Sequence, residues 1–419
     1  MKKATIILKP NFQSLINLLI VLVLATSLSC KKNGNKEMTE VDSFFTIPFE
    51  EIVKEQREVK LSEIATDVEL IRLETKREGL IAFVSEIELT MGYIFINPGN
   101  RAVIQFSRNG KYIRKIGKIG RGPGEYDLCR SLSVDEKNKM IYIQGNALSK
   151  ILVYNFDGEY MKTIEYTAIS RWKNVWSRDS LFVSFQEPME GNEPNVFMEH
   201  NEKGDTLQEV PNHIFWNNEE QYYNMYLSFV NSFYRFENKL HMKGWYNDTV
   251  YTYNENNRIV PQFLIDLGKH KLPDDLIYER KYTRPLPENL CWTGVYETYR
   301  YIFLPYGYHF DVNKMRITKK EEGCVIYDKK TKEGVAVEES VPWSIINDIN
   351  GGPDFRLNYI NDNLAVMPIS AIEMKQYLDS DKFKNRQVEF PEKKKELEQL
   401  ANSLNENDNP VLMLVKLKE

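Results

Sequence analysis

From Ile94 to Ile116 the chain alternates short apolar runs with clusters of turn residues. Ile94-Phe95-Ile96 leads into Asn97-Pro98-Gly99-Asn100, and Val103-Ile104-Gln105-Phe106 leads into Arg108-Asn109-Gly110-Lys111. Tyr112-Ile113-Arg114-Lys115-Ile116 follows. An Asn-Gly pair between two such runs predicts a β-hairpin, because glycine reaches the left-handed conformation that a tight turn needs.

The same grammar returns downstream. Residues 140–144, 151–156 and 160–164 form a second unit around Asp157-Gly158. Residues 181–185, 196–200 and 206–207 form a third around Lys203-Gly204-Asp205. The turn glycines Gly110, Gly158 and Gly204 are 48 and 46 residues apart. A period of this size, with three or four strands and one hairpin turn per repeat, marks a β-propeller blade. A fourth unit covers 239–267, with its turn at 254–257. Prolines and mixed polarity then break the rhythm over 274–297, which reads as an insertion, partly helical. Residues 301–304, 309–312 and 323–327 resume it, and a fainter sixth unit covers 342–349 and 358–367.

Two helices are predicted near the C-terminus. Ser370 can cap 371–378, and Pro391 suits the first turn of a helix over 392–404. The apolar run 410–417 is a final strand. A closed propeller must pair its last strand, since a bare blade edge invites misassembly. An N-terminal run, 68–73 or 58–61, is the expected partner. The fold class is therefore all-β: a six-bladed propeller over 45–419, with a helical insertion and two short helices near the C-terminus.

The N-terminus has a different pattern. Met1-Lys2-Lys3 precedes a nearly continuous apolar run over 15–25 and then Thr26-Ser27-Leu28-Ser29-Cys30. Charge, apolar run and small residues describe an export signal. The run is too short to cross a bilayer, which takes roughly 20 apolar residues. The small residues before Cys30 resemble a bacterial lipoprotein signal, in which removal of 1–29 makes Cys30 the lipidated N-terminus. Ser27 departs from the Leu usual in such signals. Residues 30–44 read as a polar tether. Cys129, Cys291 and Cys324 then remain, an odd number, and either a Cys291–Cys324 bridge or buried free thiols would account for them. No spacing suggests zinc.

Composition narrows the picture. With 24 Tyr and 21 Phe the chain favours strands. A net charge of −5 gives no reason to propose nucleic acid or an anionic membrane surface as partner.

The densest glycine segment is Ile116–Tyr126, IGKIGRGPGEY. A phosphate-binding loop needs Lys and Ser/Thr after its last glycine, on a helix. Here Glu125-Tyr126 follow instead, and the spacing does not fit a dinucleotide fingerprint either. The segment reads as a blade-to-blade crossing near the central axis, with Arg121 and Glu125 as candidates to face a ligand.

Catalytic patterns are sparse. The five histidines are scattered, and neither HExxH nor GxSxG occurs. No cofactor is evident. A divalent ion held in the central channel by residues from different blades would leave no signature in spacing, so a hydrolase or lactonase is the alternative reading. Aromatic clusters suit ligand contact at a channel mouth: Trp172 and Trp176, then Trp216, Tyr222 and Tyr223, then Tyr296, Tyr299 and Tyr301. Packing between blades is their other use.

Four segments carry a family resemblance: the Phe-x-x-Asn-Gly-Lys hairpin followed by 117–126; Leu61-Ser62-Glu63-Ile64 with Ile71-Arg72-Leu73-Glu74; Asn247-Asp248-Thr249-Val250-Tyr251; and 261–273. Together they resemble the six-bladed propeller lipoproteins of Bacteroidetes, relatives of NHL-repeat propellers. The resemblance implies a fold and an envelope address, with no assigned activity. It also implies O-glycosylation at Asp-Ser/Thr-apolar tripeptides, which here place Ser180, Thr206 and Thr249. The expected function is a lipid-anchored binding or interaction module whose partner is a carbohydrate, a peptide or an envelope protein. Acidic residues are missing just after Cys30, which favours the outer membrane with the propeller in the periplasm.

Overall fold

The computed structural model describes residues 44–419 apart from 100–101, 146–149, 166–174, 179–180, 187–191, 214, 216–231, 245–247, 272–289, 309, 312–315, 318–321 and 341–342. Six antiparallel sheets follow one another along the chain as propeller blades.

Blade 1 is Glu86–Leu89, Tyr93–Asn97, Val103–Ser107 and Tyr112–Ile116. Blade 2 is Ser131–Asp135, Met140–Gln144, Lys150–Asn155 and Tyr160–Glu165. Blade 3 is Val175–Arg178, Leu181–Phe185, Asn195–His200 and Thr206–Pro211. Blade 4 is Ser232–Phe236, Lys239–Lys243, Thr249–Tyr253 and Ile259–Ile265. In each, these strands pair in chain order from the innermost outwards.

Blade 5 splits its inner strand into Leu290–Thr293 and Tyr296–Glu297, both paired with Tyr301–Tyr308. Glu322–Asp328 and Glu333–Ser340 complete it. The insertion read over 274–297 is thus strand in its last part, and its earlier part, up to 289, lies outside the described residues. Leu290-Cys291-Trp292-Thr293 is too short for its period to show beside the prolines.

The central strands are buried on both faces, so they read as unbroken apolar runs rather than as alternation. Ile94 and Ile96 of blade 1 pack against Val366 and Leu412 of blade 6, while Phe95 between them packs towards Leu132 and Ile141 of blade 2. Six clusters of buried side chains result, one at each seam between neighbouring blades. The hairpin glycines Gly110, Gly158 and Gly204 all adopt positive φ, at 84°, 77° and 85°.

The ring closes through both chain ends. Blade 6 takes Tyr359–Asn361, Leu364–Ile369 and Val411–Leu417 from the C-terminal region and its outer strand, Ala65–Arg72, from the N-terminal region. Val68 lies opposite Val415 and Leu70 opposite Met413, as the run 68–73 led us to expect. Two further N-terminal strands have no counterpart in the sequence reading. Phe45–Ile47 adds a parallel fifth strand outside blade 4, and Gln56–Arg57 does the same on blade 5. Residues 44–72 are therefore a belt over the outer edges of blades 4, 5 and 6. Strands of two or three residues are too short for a periodic signal.

Helices Ala371–Asp379 and Pro391–Asn402 lie between the second and third strands of blade 6. Ser370 and Glu373 form a capping box, with Glu373 N–H donating to Ser370 Oγ at 3.3 Å. A third helix, Asp381–Asn385, is capped by Ser380. Met374, Phe383, Leu397 and Ala401 extend the seam between blades 5 and 6.

Cys129 and Cys324 are free and buried, so Cys324 forms no bridge. The Cys291 side chain lies outside the described residues.

Candidate functional site: the central channel

The inner strand of blade 1 reads Glu86-Ile87-Glu88-Leu89. Side chains alternate between the faces of a strand. Ile87 and Leu89 are buried in the seam with blade 6, and this forces both glutamates onto the opposite face. Among the described residues, the inner strands of blades 1, 2, 4, 5 and 6 line a cavity of about 760 Å³. Both glutamates line it, together with Arg235, Tyr234, Tyr296 and Tyr359.

The two carboxyls are held differently. Glu86 Oε2 accepts hydrogen bonds from Asn97 Nδ2 at 2.8 Å and from the Leu132 N–H of blade 2 at 3.0 Å. Asn97 Nδ2 also donates to the Cys129 carbonyl at 3.2 Å, so this carboxylate helps to fasten blade 1 to blade 2. Burial nevertheless pushes the Glu86 carboxyl up to about 7, against the effect of those donors. No described residue donates a hydrogen bond to Glu88. Burial pushes its carboxyl up to about 8; the Arg235 charge opposes the shift and the Glu86 charge adds to it. Arg235 Nη2 donates to Ser133 Oγ of blade 2 at 3.2 Å.

The tyrosine hydroxyls are committed to the walls. Tyr234 donates to Glu297 Oε2 at 3.0 Å, Tyr296 to the Asn358 carbonyl at 3.0 Å and Tyr359 to the Ser85 carbonyl at 2.9 Å. Burial raises all three above the ordinary phenol value, Tyr296 to about 12, so they stay neutral. Behind Tyr234 is a charged network in the seam between blades 4 and 5. Glu297 Oε1 accepts from Lys329 Nζ at 2.8 Å, and Glu297 Oε2 lies 3.6 Å from His241 Nδ1. Burial lowers the His241 pKa, so the ring is neutral at pH 7.

One rim of the channel is tied between blades. Met91 N–H donates to Glu136 Oε1 at 2.8 Å, and Asn361 Nδ2 to the Leu89 carbonyl at 2.7 Å. Glu237 N–H donates to Asp362 Oδ1 at 3.2 Å and Tyr299 N–H to Asn363 Oδ1 at 3.1 Å. These bonds join the inner hairpins of five blades, giving the cavity a fixed floor of the kind that small-molecule sites use. Among the described residues no three His, Cys, Asp or Glu side chains converge to hold a metal. No described helix is long and apolar enough to cross a membrane.

Of the residues expected from the sequence, Tyr296 lines the cavity, and the others lie elsewhere or outside the described set. The glycine segment does join blade 1 to blade 2, but its close approaches are not at the axis. A Cβ on Gly124, at φ 68°, would sit 2.8 Å from the Tyr160 ring, and one on Gly117 would meet Tyr154. Tyr154 and Tyr160 belong to the third and outer strands of blade 2, so the crossing runs over the blade's outer half. Glu125 Oε2 accepts the Gly122 N–H at 2.9 Å within the loop, and Arg121 is exposed. Neither lines the cavity. Trp176 is on the inner strand of blade 3, its backbone paired with Val183, and its side chain is outside the described residues. So are Trp172, Trp216, Tyr222, Tyr223, Ser180 and Cys30. Thr206 is exposed, and Thr249 is partly buried on the third strand of blade 4. Of the tyrosine group, Tyr301 is buried, Tyr296 lines the cavity and Tyr299 is 47% exposed.

Sequence reasoning missed Glu86, Glu88 and Arg235. Glu-Ile-Glu-Leu is the alternation of any half-solvated strand, and nothing in it says that the polar face meets a channel.

Comparisons with known proteins agree with the architecture. The family model for DUF4934, a domain of unknown function, matches residues 44–416. The structure is similar to that of a protein assigned as exported from Bacteroides fragilis, with a TM-score of 0.62 and 19% identity, covering 89% of this chain and 100% of that one. It is also similar to a DUF4221 family member from Bacteroides vulgatus, with a TM-score of 0.50 and 14% identity, covering 87% and 100%. At such identities the likeness is one of fold. No curated protein matches the chain.

Proposed function

The chain belongs to the DUF4934 family, and from that premise we propose that it is a cell-envelope binding module that takes a small ligand into its central channel. The observation that carries this reading is the cavity of about 760 Å³ lined by the inner strands. Its size is that of a small-molecule site, and its floor is preorganised. Lipid attachment at Cys30 and a place in the outer membrane, with the propeller in the periplasm, complete the proposal. They are supported by the signal-like pattern over 1–30, and the Bacteroides fragilis neighbour's description as exported points the same way. Carbohydrate, peptide and envelope-protein contacts at the mouths remain part of this reading. Of the three tripeptide sites, Thr206 is the one whose exposure best suits glycosylation.

Crystals soaked in a mixture of small polar fragments test the channel assignment. Fragment density in the cavity supports it; density confined to the outer edges of the blades overturns it.

A further inference from the structure

The walls of the channel bear on the chemistry of its ligand, and the inference that follows rests on the channel being the binding site. Among the described residues, five carboxyl side chains line the cavity, Glu86, Glu88, Asp135, Glu136 and Asp362, against two cations, Lys137 and Arg235. Three of the carboxylates are already used. Asp135 accepts from the N–H and Nδ2 of Asn138 at 3.0 and 2.8 Å, while Glu136 and Asp362 close the rim. Both donors to Glu86 go to Oε2, so Oε1 takes none from the described residues. Glu88 takes none from the described residues on either oxygen. The two side chains are two residues apart on one strand face, so their open oxygens look into the same space.

We infer that the channel binds a small organic cation, a primary ammonium or guanidinium, whose N–H groups donate to Glu88 and to Glu86 Oε1. A cation that enters favours the ionised form of both carboxyls, and charge-assisted hydrogen bonds are the strong ones. Phe233, Tyr234, Tyr296 and Tyr359 also line the cavity, and aromatic walls attract organic cations. An anion would have to sit beside the open oxygens of two carboxyls. A hard divalent ion wants six or more oxygen ligands, and among the described residues that line the cavity these two carboxyls are the open ones. Because burial pushes the Glu86 and Glu88 carboxyls up to about 7 and 8, the cation displaces protons as it enters.

Calorimetric titration of the purified protein with 1,4-diaminobutane, butane-1,4-diol and succinate tests this. The diamine is expected to bind, with a heat that varies with the buffer's ionisation enthalpy because protons are released. Glu88→Gln, or Glu88→Met should Gln misfold, should weaken it by about tenfold or more. Ile360→Trp, which fills the cavity, should abolish it. Preference for the diol or succinate, with binding still lost in Ile360→Trp, overturns the cation class and keeps the channel site. Diamine binding unchanged in Ile360→Trp overturns both. Failure of all three compounds to bind overturns the cation class.

Discussion

Arg235 of blade 4 spans the channel and donates a hydrogen bond to Ser133 of blade 2 at 3.2 Å, although blade 3 separates the two in the ring. The bond fixes a charged side chain from one blade against the wall of another. The glutamates opposite it set the first prediction.

The folded protein holds the Glu88 proton up to about pH 8, against an ordinary value of 4.5, and the Glu86 proton up to about 7. The folded state therefore binds more protons than the unfolded one between these limits. Its stability is full below the ordinary carboxyl value and is lost as pH rises through the folded values. Across this range each carboxyl lowers the stability by on the order of 3–5 kcal/mol. Thermal melts from pH 5 to 8.5 should show a falling Tm, and Glu88→Gln should flatten the fall. An equal slope in the variant would show that Glu88 is not the titrating group.

Ring closure depends on Gly110. At φ 84° a Cβ there would lie 2.2 Å from the Arg72 carbonyl oxygen on the outer strand of blade 6. Gly110→Ala should cost about 2 kcal/mol or more in urea denaturation. Gly92→Ala, where a Cβ would meet nothing within 4 Å, should stay within about 0.5 kcal/mol of the native protein. Equal effects at the two positions would contradict the closure geometry.

The seam between blades 4 and 5 hinges on Glu297, which is 1% exposed and accepts from Tyr234 and Lys329. Glu297→Ala leaves the partners of a buried charge uncompensated and should cost roughly 3–5 kcal/mol. A loss below about 1 kcal/mol, typical of exposed pairs, would mean that water reaches the network.

The anchor is tested by fractionation. Native protein should sediment with membranes and take up radiolabelled fatty acid. Cys30→Ser should do neither, and membrane-bound variant protein would rule out the lipid at this position.

The blades were legible because propeller strands are buried on both faces and punctuated by hairpins. Ile94-Phe95-Ile96 and Asn109-Gly110 are enough to place a strand and its turn. The closing strand was legible for the same reason, through the apolar run that ends at Leu417. The belt strands at 45–47 and 56–57 were not, since pairing there comes from the edge that they cover and not from their own pattern. The channel residues were hidden for a third reason. Glu86, Glu88 and Arg235 come from blades 1 and 4, and only the ring brings them together. Arg121 and Glu125 stood out because their glycine-rich setting is conspicuous, but Gly117 and Gly124 serve close packing on Tyr154 and Tyr160, and Gly120 and Gly122 make room for the Glu125 side chain within the loop.

Binding in the channel is tested most directly by comparing the native protein with Ile360→Trp against any ligand that raises the Tm of the native form. With the variant folded, as judged by circular dichroism, the ligand-induced shift should vanish. A shift of equal size in the filled channel would contradict binding there.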